Sequence, residues 1–223
     1  MDTETNLLSL CGVIETEPQL DHEVFGENFY RMDVKVPRLS GANDLLPVTI
    51  SERLMNDQVK PGVRLGISGQ LRSYNKVMGG AGRLLLTAFA QRLMAPDEVE
   101  NPNLIHLTGA ICKPPAFRTT PFGREITDLM LAVNRAFGKS DYIPCIAWGR
   151  TARYAASLAV GDKLEVQGRF QSREYQKQMP DGTVMTRVAY EVSLSRLTCL
   201  KEGTMAPRPS LAENMPVSDR PIQ

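Results

Sequence analysis

Residues 6–14 read NLLSLCGVI, and residues 103–111 read NLIHLTGAI. The same shift of 97 residues relates the chain to itself from residue 6 to residue 53, with 14 identities and no gap. Pairs that recur at this shift include Pro18 and Pro115, Arg38 and Arg135, and Asp44 and Asp141. The shift grows to 99 at Gly69 and Gly168, and to 104 at Arg92 and Arg196. A register that persists this long indicates an internal duplication, with a longer last hairpin in the second copy.

The repeat predicts the domain organisation. We expect a first domain over residues 1–95, a linker over 96–102, a second domain over 103–198 and a disordered tail over 199–223. The linker has proline at both ends and acidic residues between them, which favours an exposed and extended segment. The tail is rich in proline and polar residues, a composition typical of disorder.

Both copies read mostly as strand. In the second copy, β-prone runs cover residues 104–111, 125–133, 142–148, 163–175 and 184–197. Asp181-Gly182 is a hairpin-turn signal between the last two runs, and Gly79-Gly80-Ala81-Gly82 is the matching turn in the first copy. Alanines at helical spacing predict a helix over residues 151–158, and its counterpart in the first copy is 52–59 after Ser51 as N-cap.

Five strands with a helix between the third and fourth is the element order of the OB-fold, a small Greek-key barrel. The sequence therefore predicts an all-β protein of two tandem OB-folds. An SH3-like barrel also has five strands in a unit of this size, but the helix in that place favours the OB-fold.

The charge of the chain is unevenly distributed. The overall formal charge is +1, but residues 1–95 carry a net −1, residues 96–102 a net −3 and residues 103–197 a net +5. A polyanionic partner would therefore favour the second copy. No apolar run of about 18 residues predicts a membrane span, and the acidic N-terminus does not resemble a secretory signal. The four cysteines form no C-x-x-C pair, so we expect reduced thiols in a cytoplasmic protein.

The second copy interleaves aromatic and cationic residues, as sites for single-stranded nucleic acid do. The aromatic candidates are Phe137, Tyr142, Trp148 and Tyr175. The cationic candidates are Arg118, Arg135, Lys139, Arg150, Arg169, Arg173 and Lys177. Arg169, Arg173 and Tyr175 share one parity on a predicted strand, so their side chains should leave one face. The alternative for each ring is a place in the core, and for each arginine a solvated surface charge.

Four motifs carry a resemblance to a known family: RTTPFG at 118–123, LAVNR at 131–135, DYIPCIAW at 141–148 and GRFQSREY at 168–175. With them, residues 103–197 resemble the bacterial single-stranded DNA-binding protein family. The resemblance implies that the four aromatic positions lie along a bound strand, with roles in DNA replication, recombination and repair and a nucleoid-associated location. It also implies a working unit of four barrels, which a chain with two barrels reaches as a homodimer.

The first copy departs from the pattern at all four stacking positions. The residues of the first copy at the positions equivalent to Tyr142, Trp148, Phe137 and Tyr175 are Leu45, Ser51, Ser40 and Lys76, respectively. Arg38, Arg72, Tyr74 and Lys76 remain as weaker candidates for contact with DNA. The chain also ends in VSDRPIQ, without the acidic tip and final aromatic through which family members recruit repair proteins.

Other functions are less favoured. An interaction protein, such as a primosome-like or phage accessory factor whose barrels mainly contact proteins, is the alternative. His22 and His106 lack metal-ligand spacing, and the Gly79–Gly82 stretch lacks the Lys-Ser/Thr of a phosphate loop. The sequence thus predicts no enzyme, cofactor or metal site.

Overall fold

The computed structural model describes residues 5–78, 81–178 and 182–200, and these are almost entirely β-structure. The strands of the first repeat are β1 (Asn6–Ile14), β2 (Gln19–Val24), β3 (Glu27–Pro37), β4 (Asn43–Ser51), β5 (Arg64–Met78) and β6 (Ala81–Met94). Those of the second are β7 (Asn103–Ile111), β8 (Ala116–Thr119), β9 (Glu125–Arg135), β10 (Lys139–Trp148), β11 (Lys163–Gln178) and β12 (Val184–Cys199). The predicted tail from residue 201 onward and parts of both predicted hairpin turns lie outside the described residues.

Each repeat closes into a five-stranded barrel. In the first, β1, β3, β4, β6 and β5 pair in that order and β5 returns to β1, with β4 and β6 parallel. The second repeats this arrangement with β7, β9, β10, β12 and β11. This confirms two tandem OB-folds. The short strands β2 and β8, which the sequence analysis missed, pair only with β3 and β9, outside the closed barrels.

The barrel cores follow the period-2 pattern of their strands. Met32, Val34 and Val36 alternate inward along β3 and are at most 1% exposed. Phe170 fills the second barrel, and Leu71 holds the equivalent place in the first. Burying a side chain of this size contributes about 1.5–3 kcal/mol. Each of these two residues is fixed by an asparagine on the first strand of its repeat, because the Asn6 and Asn103 Oδ1 atoms accept hydrogen bonds from the Leu71 and Phe170 amides.

The predicted helix is present in only one repeat. The helix α1 (Gly149–Ala156) buries Ala152 and Ala155 against the barrel. In the first repeat the prediction of a helix over residues 52–59 is wrong, because only a 3-10 turn at Glu52–Leu54 forms there. Ser51 does cap this turn, accepting from the Arg53 amide at 3.1 Å. The Asn56 side chain then accepts from the Gln58 amide, and such a local turn competes with the helix.

The two barrels share one sheet. β1 pairs antiparallel with β7 from Asn6↔Leu107 to Leu10↔Asn103, so all twelve described strands are continuous. The connection between the barrels is not extended throughout as predicted, although its acidic residues Asp97, Glu98 and Glu100 are exposed as expected. Pro96–Glu98 forms a 3-10 turn, and the Pro102 carbonyl accepts from the Cys11 amide at 2.9 Å. The domain bounds themselves stay a prediction.

Two buried carboxylates join the barrels reciprocally. Asp44 accepts a hydrogen bond from the Ser172 amide of the second barrel at 2.7 Å, and Asp141 accepts from the Ser73 amide of the first at 2.8 Å. Each carboxylate is only 1% exposed and lies near arginines. The recurrence of Asp44 as Asp141 in the sequence thus corresponds to a contact that each repeat makes with the other.

Candidate nucleic-acid interface

Trp148 lies on the outside of the second barrel, at the end of β10. Its ring is partly exposed, and Nε1 donates to the Ser193 Oγ of β12 at 3.1 Å. A shallow cavity of about 470 Å³ opens beside it, lined also by Arg124 and Arg153. The ring is therefore held at the surface beside cations rather than in the core.

Tyr175 lies on β11, two positions after Arg173 in the sequence. The Arg173 guanidinium carbon is 5.8 Å from the centre of the Tyr175 ring, within the range of a cation–π contact. Arg173 also reaches the Glu191 carboxylate at 3.4 Å, and Arg187 on β12 is directly opposite Tyr175. The alternation along β11 places Arg169, Gln171, Arg173 and Tyr175 on the face opposite the buried Phe170, as their parity predicts.

Tyr142 lies near the start of β10 and is 46% exposed. Its amide donates to the Ser73 Oγ of the first barrel at 2.7 Å, so the residue stands at the junction of the barrels. Phe137 belongs to a 3-10 turn at Ala136–Gly138. The side chains of Phe137 and Lys177 are outside what the structure describes.

The remaining predicted cations have different environments. Lys139 and Arg150 are exposed. Arg118 is an exposed partner of Asp128 at 2.7 Å, and this hydrogen bond raises the pKa of its guanidinium. Arg135 and Arg169 are half-buried at the barrel junction, 3.7 Å from Asp141 and 3.8 Å from Asp44. The structure thus brings Arg173 and Tyr175 together, leaves Lys139 and Arg150 open to solvent, and places Arg135 and Arg169 between the barrels.

The equivalent face of the first barrel has a different composition. Leu45 is 41% exposed, and Ser51 is buried with its hydroxyl donating to the Glu27 carboxylate. Arg38 is bound to Asp44, whose hydrogen bonds raise the pKa of the Arg38 guanidinium. Arg72 and Tyr74 line a cavity of about 530 Å³, and the Lys76 side chain is not described. The four predicted stacking positions therefore present no ring on the described part of this face.

The second repeat matches a known protein family. The model of the single-strand binding protein family matches residues 102–200. The "Single-stranded DNA-binding protein" of Clostridium tetani is 33% identical over 108 residues, which cover 45% of this chain and 72% of that protein. The chain belongs to the single-strand binding protein family.

Other relatives in the family match a smaller share of their length. "Single-stranded DNA-binding protein A" of Bacillus subtilis is 35% identical over 96 residues, covering 40% of this chain and 56% of the relative. A Listeria innocua relative is 34% identical and 60% covered. The chain thus spans little more than half the length of the first relatives it matches.

A solved structure matches both barrels. The wild-type single-stranded DNA-binding protein of Thermus aquaticus superposes with a TM-score of 0.69, covering 91% of this chain and 96% of that chain at 20% identity. This likeness supports the tandem fold.

The sequence analysis missed several residues of these faces. Arg124 beside Trp148 and Arg187 beside Tyr175 are further cations of the second barrel. In the first barrel, His22, Phe29 and Phe89 form a ring cluster. These three rings have no aromatic counterpart in the second copy, so comparison of the repeats did not reveal them. Among the described residues no cluster of three or more His, Cys, Asp or Glu could hold a metal ion, and no helix is long and apolar enough to cross a membrane.

Proposed function

We propose that this chain binds single-stranded DNA without sequence preference, mainly through the outer face of its second barrel. The observation that carries the proposal is the arrangement of Tyr175, Arg173 and Trp148 at the surface, with rings and cations side by side. Rings of this kind stack on bases of any sequence, and cations follow the phosphates. The names of the relatives point to the same ligand.

The proposed role is non-catalytic. It places the chain in DNA replication, recombination and repair, in the cytoplasm and associated with the nucleoid. The first barrel contributes less to affinity than the second, because its stacking positions are lost and its residues 1–95 carry a net −1 against +5 for residues 103–197.

The affinity is expected to fall steeply with salt. Each phosphate contact releases counterions, which gives a slope of about −0.7 in the logarithm of the binding constant against the logarithm of the salt concentration. Fluorescence anisotropy of a labelled oligo-dT, titrated at several salt concentrations, measures this slope. A salt-independent affinity, or no binding at low salt, would reject the proposal and favour a protein-interaction module.

We also propose a homodimer that assembles through the middle of the twelve-stranded sheet. Leu7 on β1 and Leu104 on β7 are each 39% exposed, on the sheet face that points away from both cores. Their register places them near each other where the two barrels join. A second copy placed on this face by a twofold axis would cover both leucines and bring four barrels together.

The leucine pair provides the test of this assembly. Light scattering at micromolar concentration should give a mass near twice the 24.7 kDa of one chain. Aspartate at both Leu7 and Leu104 should shift the mass toward one chain, because charged groups would be buried in the interface. The control Leu20→Asp changes a leucine on β2 that is 63% exposed and should remain dimeric. A wild-type monomer would contradict the assembly.

A further inference from the structure

The first barrel contains a cavity lined by aromatic residues, and none of the described residues that line it is at one of the four positions equivalent to the stacking residues. Its volume is about 530 Å³, within the roughly 300–1,000 Å³ typical of small-ligand sites. Phe89 and Tyr74 line it. Phe89 packs against Phe29 with ring centres 5.8 Å apart, and Phe29 stacks on His22 at 5.1 Å. The Arg72 guanidinium carbon lies 5.5 Å from the centre of the Phe89 ring, so ring and cation are adjacent at this wall.

Two arginines at the wall of this cavity have unused hydrogen-bonding capacity. Arg72 comes from the first barrel and Arg135 from the second, and the Nε atoms of both are buried without a hydrogen-bond partner among the described residues. Both approach the same carboxylate, Asp141, only to 3.7 Å, and Asp141 is already bound to the Ser73 amide.

Asp44, the carboxylate of the first repeat that corresponds to Asp141, is hydrogen-bonded differently. Arg38 makes two hydrogen bonds to Asp44, through Nε at 2.8 Å and through Nη2. Asp44 and Asp141 each lie near two arginines, but at Asp141 neither guanidinium group makes a hydrogen bond to the carboxylate. Arg72 and Arg135 thus place two positive charges at the cavity wall, with the buried Asp141 behind them and Asp21 also lining the cavity. A pair of guanidinium groups in this position suits an anion such as a phosphate.

The cavity lies next to Tyr142 of the second barrel, to which it is connected through Ser73. Ser73 lines the cavity, and its Oγ accepts from the Tyr142 amide at 2.7 Å. Tyr142 is itself a proposed stacking residue. A strand that passes Tyr142 therefore reaches the mouth of the cavity across the barrel junction.

We propose that this cavity receives one nucleotide of the bound strand, with its base against Phe89 and Tyr74 and its phosphate between Arg72 and Arg135. The inference rests on the proposed single-strand binding. It gives the first barrel a contact of its own, built from residues other than the four lost positions. Rings and guanidinium groups at one site are the two elements that single-strand binding requires.

The test uses the full-length chain and two lengths of oligo-dT. An oligomer of about 8 nucleotides fits one barrel, which covers roughly 4–16, whereas one of about 35 reaches both. Trp148 is the only tryptophan, so its quenching by the short oligomer reports the second barrel. Phe89→Leu should weaken binding of the long oligomer roughly tenfold and weaken that of the short one less, because one stacking contact is lost.

Charge removal gives a second readout. Arg72→Gln should reduce the salt slope for the long oligomer by about 0.7, the value of one phosphate contact. The control variants are Arg64→Gln, an exposed cation on the same strand, and Phe25→Leu, a fully exposed ring of the same barrel. Both controls should bind each oligomer as the wild type does.

Cross-linking makes the result independent of how the variants fold. The wild-type chain is irradiated with a long oligo-dT in which some thymines are replaced by 5-iodouracil, and the linked peptides are mapped. Links to the β5 and β6 peptides that contain Tyr74 and Phe89 support the inference. Links confined to the second barrel, or unchanged long-oligomer affinity in folded Phe89→Leu, overturn it while single-strand binding stands. If the short oligomer fails to quench wild-type Trp148, the proposed function itself is wrong, and the inference falls with it.

Discussion

The variant Tyr175→Ala is expected to bind oligo-dT about 1–3 kcal/mol more weakly than the wild-type chain, the value of one base stacked on an aromatic ring. Tyr175 is only half-buried, and its removal also takes away the surface that positions Arg173, 5.8 Å from the ring. Trp148→Ala should cause a loss of similar size. Because that change also removes the hydrogen bond from Nε1 to Ser193, its circular dichroism must first show a folded barrel.

Tyr154 provides a matched control for the loss of a tyrosine. It is 44% exposed on α1 and belongs to none of the proposed binding residues, so Tyr154→Ala should keep the wild-type affinity. Anisotropy titrations at one fixed salt concentration compare the three chains. A folded Tyr175→Ala chain with wild-type affinity would show that β11 does not stack on the strand.

The largest expected effect on stability comes from the junction of the barrels. Asp44→Asn should lower the free energy of unfolding by about 2–4 kcal/mol. Breaking a fully buried ion pair costs roughly 3–5 kcal/mol, and the value here is reduced because the Arg38 side chain remains 25% exposed. Asparagine keeps a carbonyl oxygen that can accept from the Ser172 amide, so the variant removes mainly the charge that Arg38 and Arg169 share. Urea unfolding followed by circular dichroism measures the change.

Asp128→Asn is the surface counterpart of this variant. Asp128 pairs with Arg118 at 2.7 Å, but the two side chains are 41% and 47% exposed. Such a pair contributes about 0–1 kcal/mol, so this variant should unfold nearly as the wild type does. Equal stability of Asp44→Asn and Asp128→Asn would mean that the reciprocal carboxylates do not hold the barrels together.

The internal repeat predicted the two barrels because several residues that are identical in both copies are required by the barrel geometry. A Cβ on Gly12 or on Gly109 would lie 2.5 or 2.6 Å from a carbonyl oxygen of the neighbouring strand, so both repeats need glycine where the barrel closes. Gly69 and Gly168 stand at matching bulges, where a Cβ would also strike the facing backbone. Residues of this kind keep their identity when other positions drift, and they set the register that the sequence shows.

Other features were not predictable from either repeat alone. The pairing of β1 with β7 and the exchange of Asp44 and Asp141 are contacts between repeats, and a strand pattern contains no information about its partner strand. The helix predicted for the first repeat failed because Asn56 forms a local turn that propensity does not weigh. Phe89 escaped notice because its counterpart at a shift of 104 is Ser193.

Quenching of Trp148 fluorescence by oligo-dT tests the central claim most directly. The residue is the only tryptophan of the chain, and it lies at the surface of the second barrel with its ring held by Ser193. The account predicts saturable quenching at low salt that added salt reverses, because phosphate contacts release counterions. An emission spectrum that oligo-dT leaves unchanged at low salt would contradict the assignment of this face to single-stranded DNA.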